Sequence, residues 1–316
     1  MYYMNSESAD PFFNLAVEEV LLKNDSRDFI FFYINNPSVI IGKHQTAHKE
    51  ADTKFTLENN IPVIRRISGG GTVFHDRGNL NFSFISGSET GKQVDFRKYT
   101  TPIIKFLNTL GIDARFEGKN DIRVNGLKIS GNAEHVHRQR VLHHGTLLFD
   151  SSLNELRNAI RKDTSCYSSR SVDSNPSRVT NLCEMLPGII SIAEFRQQLV
   201  NFLLEESIDM HPYYLEEVHQ EKAIKLVKEK YHSWEWNYAY GPEYEFRKNF
   251  IFNGEEQYCH LFVKDGMIRE CNIVGSPLLS GVAEELKGCR HMPGDLSDAI
   301  NKSGPELCDL DIFSFF

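Results

Sequence analysis

The sequence lacks the features that mark several common protein classes. Its six cysteines, Cys166, Cys183, Cys259, Cys271, Cys289 and Cys308, lie far apart with no C-x-x-C pair. That spacing excludes a zinc knuckle and a small disulfide framework. The longest obvious apolar run, Phe29–Ile34, is far too short to cross a bilayer, so no membrane partner is expected. The opening MYYMNSESADPFF has neither a basic stretch nor an apolar one, so no secretory signal is read and a cytoplasmic location is expected. Basic charge is scarce as well: 35 lysines and arginines stand against 43 acids, a net charge of −8. An acidic chain gains little from phosphate attraction, which argues against DNA or RNA as partner. The phosphate loop of common NTPases is also missing. Gly87-Ser88-Glu89-Thr90-Gly91-Lys92-Gln93 is one residue short and has no Ser or Thr after its lysine.

What is present is a 316-residue chain, long enough for two cores. Asp10 and Pro11 punctuate a first helix whose Phe12, Phe13, Ala16, Val17, Val20 and Leu21 form one apolar stripe. Short strands follow at Phe29–Ile34 and Val39–Ile41, then a modest helix over 47–60. Further strands are read at 62–67, 72–75 and 80–85, and a helix over Thr101–Leu110 ends at Gly111. Residues 113–149 read as an antiparallel sheet, with Asn125-Gly126 as a two-residue hairpin turn. Residues 162–178 are rich in serine and have no apolar period, the pattern of a functional or disordered loop. Helices are expected over 191–204 and 214–230. Beyond Gly241-Pro242 the pattern changes to short alternating runs, with a Lys264-Asp265-Gly266 turn. The expectation is therefore a domain over 1–245 and a small α+β accessory domain over 246–316.

Three stretches carry chemistry. In the first, Arg65-Arg66-Ile67-Ser68-Gly69-Gly70-Gly71-Thr72-Val73-Phe74-His75-Asp76, three glycines let the backbone approach a ligand and expose its N–H groups. The paired arginines supply cations suited to phosphate or carboxylate. Composition leaves a flexible hairpin with surface arginines equally open. In the second, Lys128-Ile129-Ser130-Gly131-Asn132-Ala133, Lys128, Ser130 and Asn132 share one strand face. A lysine buried there needs an anionic partner; a strand lysine is otherwise simply exposed. The third, His143-His144-Gly145-Thr146, follows His135 and His137. Four histidines so close invite a metal reading, but no cysteine or carboxylate accompanies them at ligand spacing. A structural or substrate-positioning histidine fits better.

Taken in order, these stretches resemble the lipoate–protein ligase family, within the wider group that includes biotin ligases. Asn14-Leu15-Ala16-Val17-Glu18-Glu19, Gly78-Asn79, Lys119-Asn120-Asp121, Arg178-Val179-Thr180-Asn181-Leu182 and Trp234-Glu235-Trp236-Asn237 support the resemblance. It implies an α+β fold with a mixed, largely antiparallel sheet, flanking helices and a small C-terminal accessory domain that covers the site. It also implies ATP as co-substrate, with Mg²⁺, and lipoic acid activated as lipoyl-adenylate. The lipoyl group then passes to a lysine of a carrier, such as the lipoyl domain of a 2-oxoacid dehydrogenase or glycine-cleavage H protein. By the same resemblance Lys128 is the catalytic residue, contacting both adenylate phosphate and lipoyl carbonyl. Arg66, Gly71, Thr72, Val73, Phe74, Asn79 and Asp121 fall on the nucleotide side, and Ser68, Gly69, Gly70, His75 and His144 near the lipoyl arm. No residue announces itself as a Mg²⁺ ligand. Where some relatives have an arginine, this chain has His135, a weaker holder of anions. The alternative on the same fold is an ATP-independent octanoyl transferase with a cysteine nucleophile. One branch keeps that cysteine just before the histidine-glycine strand, where Val141 and Leu142 stand here; Cys166 is the remaining candidate.

Overall fold

The chain is described as a computed structural model covering residues 1–88, 94–186, 188–189, 191–206 and 209–316. Most of the NTPase-like stretch Gly87–Gln93, at 89–93, lies outside the described residues. Two compact units form. The first comprises Met1–Lys43, Ile64–Leu156 and Ser174–His232; the second comprises His44–Val63, Arg157–Asp173 and Ser233–Phe316.

The first unit is built on an eight-stranded mixed sheet. Its order is His211–Pro212, Tyr2–Asn5, Phe29–Tyr33, Asn79–Gly87, Arg140–Leu148, Leu127–His137, Asp121–Val124 and Arg115–Glu117. The first two pairings are parallel and the remaining five antiparallel, so the mixed, largely antiparallel sheet expected from the sequence is found. Phe29–Tyr33 is buried at every residue, because FIFFY presents apolar side chains to both faces of a central strand. Helices Phe96–Thr109 and Ile192–Glu206 cover one face, with Phe106 against Phe195 at 5.4 Å between ring centroids. Asn125 and Gly126, at φ 51° and 76°, close the hairpin into Leu127–His137, the left-handed pair that a two-residue turn requires.

Helix Pro11–Asn24 begins where expected, the Asp10 carboxylate accepting the Phe12 N–H at 2.9 Å. Its burial differs from the apolar stripe, however. Phe12 and Phe13 are half-exposed, whereas Asn14, Glu18 and Glu19 are buried. A carboxylate goes inside only when hydrogen bonds replace its water, so these acids mark a polar interior.

In the second unit the strands Tyr167–Ser169, Tyr244–Phe252, Glu255–Lys264 and Met267–Val274 form an antiparallel sheet. Helices Leu278–Leu286 and Pro293–Ser303 share its core through Leu279, Val282, Leu286 and Leu296. The turn at Asp265-Gly266 is found, with a second at Asn253-Gly254. The serine-rich segment is not loop throughout. Tyr167 buries its ring against Phe246 at 5.1 Å, beneath the Arg161 guanidinium, and that one anchor draws Tyr167–Ser169 into the sheet.

Gly145 explains why a glycine interrupts the strand Arg140–Leu148. It pairs with Phe82 on one side and Asn132 on the other. An added Cβ would clash with the Asn132 amide oxygen and lie 2.5 Å from Phe82 Cζ. Gly145→Ala is expected to lower the unfolding free energy by about 1–3 kcal/mol, as overpacking does. Urea denaturation measures this, and an unchanged midpoint would refute the packing argument.

Candidate active site

Ser68 to Thr72 link the strands Val63–Arg65 and Val73–His75, and residues 69–73 are all partly open to solvent. Beneath them lies Arg66, only 4% exposed. Its Nη2 donates to the carbonyls of Gly69 at 2.6 Å and Gly71 at 2.8 Å; Nη1 donates to Ile40 O at 3.1 Å, and Nε to Ser68 Oγ at 2.9 Å. Gly70 has φ +89°, and a Cβ there would lie 3.1 Å from Arg66 Nη2. The chain can therefore wrap the guanidinium only with glycine at that point. Arg65 is fully buried and donates to the carbonyls of Gly42 and Lys43 at 3.1 Å each. The paired arginines thus hold backbone, which their sequence alone did not reveal.

A directed chain of hydrogen bonds runs on from Arg66. Ser68 Oγ meets His144 Nε2 at 2.6 Å, and His144 Nδ1 lies 3.0 Å from Glu18 Oε2. Glu18 Oε1 also accepts from Tyr33 Oη at 2.9 Å and from the Ser83 hydroxyl. Two hydroxyl donors fit an ionised carboxylate, so His144 carries its proton on Nδ1 and accepts from Ser68 on Nε2. Burial and then the Glu18 charge push the Tyr33 phenol well above its ordinary value. Glu18, Tyr33 and Ser83 were missed as site residues. The only signal was Glu18 within the helix run that supported the family resemblance.

His75 is held by a second network. The Asn35 amide donates to His75 Nδ1 at 2.9 Å and accepts from Asn14 Nδ2 at 2.8 Å. Burial, followed by the Arg66 charge and the neighbouring His144, lowers the imidazole to about 3. His143 faces elsewhere: Nδ1 pairs with Glu134 at 2.8 Å, and the ring stacks on Tyr99 at 5.0 Å. His135 is half-buried and lowered to about 4, by burial first and then by Lys43, His137 and Lys23. It is therefore neutral at pH 7. Among the described residues no group of three or more His, Cys, Asp or Glu side chains is arranged to hold a metal.

Lys128 comes to the loop from the strand Leu127–His137. Its Nζ pairs with Asp121 Oδ1 at 2.8 Å, while Asp121 Oδ2 takes Arg123 Nη2 at 2.8 Å. A Cβ on Gly131 would lie 3.0 Å from both Lys128 Cε and Nζ and 4.0 Å from Val73 Cγ1. Gly131 is thus the gap through which the lysine reaches the loop. The end of the serine-rich stretch supports both halves. Ser174 Oγ accepts the Thr72 N–H at 2.8 Å, and the Lys128 N–H donates to Arg178 O at 2.8 Å. Ser68, Gly69, Gly70, Gly71, Thr72, Val73, His144, Asp121 and Lys128 therefore belong to one connected region. Phe74 is buried within the strand Val73–His75, and Asn79 is fully buried with its amide on Asn81 at 2.9 Å and its oxygen without a partner among the described residues. Neither is seen bonded to the loop or to Lys128.

The pH dependence follows from His75. Its unfolded form takes a proton near 6.5, its folded form only near 3. Between these values the unfolded chain binds the extra proton, so stability falls as pH drops from about 6.5 toward 3. In His75→Gln the slope of unfolding free energy against pH should be shallower by up to about 1.4 kcal/mol per pH unit. Equal slopes in the two proteins would contradict a buried neutral imidazole.

Comparisons with known proteins converge on this region. Residues 10–204 match the model of the lipoyl protein ligase A/B catalytic domain. The lipoate-protein ligase LplJ of Bacillus subtilis is 37% identical over 291 residues, covering 91% of this chain and 88% of the relative. Two solved structures share the fold. A bi-partite lipoate protein ligase of Thermoplasma acidophilum, studied with its E2 lipoyl domain, has a TM-score of 0.65 at 27% identity, over 75% of this chain and 95% of that one. A lipoate-protein ligase A bound with ATP has a TM-score of 0.64 at 26% identity, over 75% of this chain and 97% of that one.

Proposed function

The chain belongs to the lipoyl protein ligase A/B family, and from that membership we infer that it is an ATP-dependent lipoate–protein ligase. The observation that carries the reading is the Lys128 ammonium beside the Arg66-clamped glycine loop, on a chain 37% identical to a lipoate ligase along 91% of its length. ATP and lipoate are its substrates and lipoyl carriers its acceptors. Lipoyl domains of 2-oxoacid dehydrogenases and the glycine-cleavage H protein are the proposed carriers, and the cytoplasm is the proposed location. No helix among the described residues is long and apolar enough to cross a membrane.

Two anions must meet in the first step, when the lipoate carboxylate attacks the α-phosphorus and pyrophosphate leaves. Lys128 is proposed to neutralise both, since a compact ammonium can serve oxygens of each. In the second step it polarises the acyl carbonyl while a carrier amine attacks and AMP departs. The half-open N–H groups of Gly71, Thr72 and Val73 are proposed to receive the adenylate, above Phe74 and the Arg66 charge. Asp121 holds Lys128 in place, and Asn79 is assigned to the nucleotide side. Ser68, Gly69, Gly70, His75 and His144 are proposed to surround the lipoyl arm, with His75 neutral so that it shapes the pocket without repelling Lys128. Mg²⁺ is proposed to arrive with the ATP phosphates, because the described side chains offer no preformed cage. Residues 1–245 would hold this chemistry, with 246–316 as an accessory that keeps water from the mixed anhydride.

Lipoate-dependent ATP–pyrophosphate exchange is the direct test. Lys128→Ala should lower it roughly 10²–10³-fold, the scale of a lost transition-state donor, and Lys128→Arg should fail as well because a planar fork cannot occupy the same point. Exchange that survives Lys128→Ala within about threefold would remove this lysine from the chemistry.

A transferase with a cysteine nucleophile is disfavoured by the cysteines themselves. Cys183 is pushed up by burial and by the Asp150 carboxylate, the opposite of an activated thiol. Cys166 packs against the core of the second unit, and its carbonyl accepts the Arg247 N–H at 2.8 Å. Cys166→Ser should therefore keep near-normal ATP-dependent lipoylation in a gel-shift or mass assay. A dead Cys166→Ser, alongside wild-type transfer from an octanoyl carrier without ATP, would establish the transferase instead.

A further inference from the structure

The second unit contains a cavity of about 570 Å³ for which the ligase reading has no use. Every residue lining it belongs to that unit. Phe55, Phe313 and Phe316 form its apolar part, and five cations surround them: Lys54, Arg157, Arg161, Lys162 and Lys248. Among the described residues, none of the five is held in an ion pair. The neighbouring aspartates are committed to backbone instead. Asp52 accepts the Phe55 N–H at 2.8 Å, Asp311 that of Phe313 at 2.9 Å and Asp163 that of Ser165 at 2.9 Å. Glu58 is the remaining acid on the wall.

Two of the cations are fixed in place before any ligand arrives. Lys248 Nζ donates to the carbonyls of Phe313 at 2.9 Å and Phe316 at 3.2 Å. Arg161 lies over the Tyr167 ring and uses Nε on His48 O at 2.9 Å, and its two terminal nitrogens make no hydrogen bond among the described residues. Burial chiefly lowers the Lys248 ammonium from its ordinary value, and the nearby Arg161 adds to this. The five cations outnumber the four carboxylates on the wall, Asp52, Glu58, Asp163 and Asp311, which leaves the cavity with an excess of positive charge. A guanidinium fork with several ammonium groups suits phosphate oxygens, and the volume is that of a small-molecule site.

We propose that this cavity binds a polyvalent phosphate, free or carried on a nucleoside whose base lies on the phenylalanine rings. The cavity shares no residue with the loop or Lys128, and the proposal does not depend on the ligase reading. It is tested by calorimetric titration of the full chain at low ionic strength with inorganic tripolyphosphate, ATP and AMP. The diagnostic variant is Lys54→Gln with Lys162→Gln, whose side chains make no hydrogen bond in the structure, so folding is preserved; circular dichroism verifies that. Lys222→Gln, on an exposed helix face, is the control for general charge.

Tripolyphosphate should bind the wild type and the control alike, and bind the double variant roughly tenfold or more weakly, the scale of one charge-assisted hydrogen bond. A pocket-dependent affinity that is higher for ATP than for tripolyphosphate identifies the nucleoside form as the ligand. Equal values identify the free phosphate. The absence of tripolyphosphate binding, or binding that the double variant leaves unchanged, overturns the proposal.

Discussion

One buried guanidinium organises the site. Three consecutive glycines lose more backbone entropy on ordering than any other residues would, so a glycine loop holds a fixed shape only when something grips it. Arg66 does so from below, through the carbonyls of Gly69 and Gly71 and the hydroxyl of Ser68. Turning those carbonyls down toward the cation leaves the partly open side of the loop for a ligand. Burial first, and then the same charge, keeps His75 neutral beside it. A dry, positive floor under exposed backbone is what a reaction between a carboxylate and a phosphate requires.

The rest of the first unit keeps that arrangement in register. Glu18 orients His144, His144 accepts from Ser68, and Ser68 accepts from Arg66. A helix, a sheet strand and the loop are thereby tied by bonds whose directions agree. Lys128 comes from another strand and is admitted by Gly131. Asp121 pairs with the ammonium at 2.8 Å, so the charge is not left without a partner.

Much of this was legible in the sequence, for identifiable reasons. The Asn125-Gly126 turn, the caps of the first helix and the strand run Phe29–Ile34 are local signals, and the structure contains each of them. The three motif stretches led to the loop, Lys128 and His144 through their resemblance to the ligase family, where the residues alone left an exposed lysine and a structural histidine open. What the sequence did not disclose depends on distant partners. Arg65 and Arg66 read equally as ligand-binding or surface cations, and the backbone carbonyls they bind were not foreseen. Glu18 was named only within the helix run that supported the resemblance, and Tyr33 and Ser83 make it an interior acceptor. Tyr167 lay in a stretch whose serines suggested loop, and a single buried ring outweighed them. The segments 44–63 and 157–173 likewise join the second unit through contacts that no local pattern announces.

The central claim is that the clamped loop and Lys128 join a carboxylate to the α-phosphate of ATP before any carrier is modified. The most direct measurement follows the nucleotide and the carrier together, in one reaction of purified protein, lipoate, ATP and a lipoyl domain. Intact-mass analysis of the carrier is compared with chromatography of the nucleotides. The account predicts one AMP released for each lipoyl group attached, and lipoyl-adenylate accumulating when the carrier is left out. Carrier modification accompanied by ADP, or proceeding without nucleotide, would contradict it.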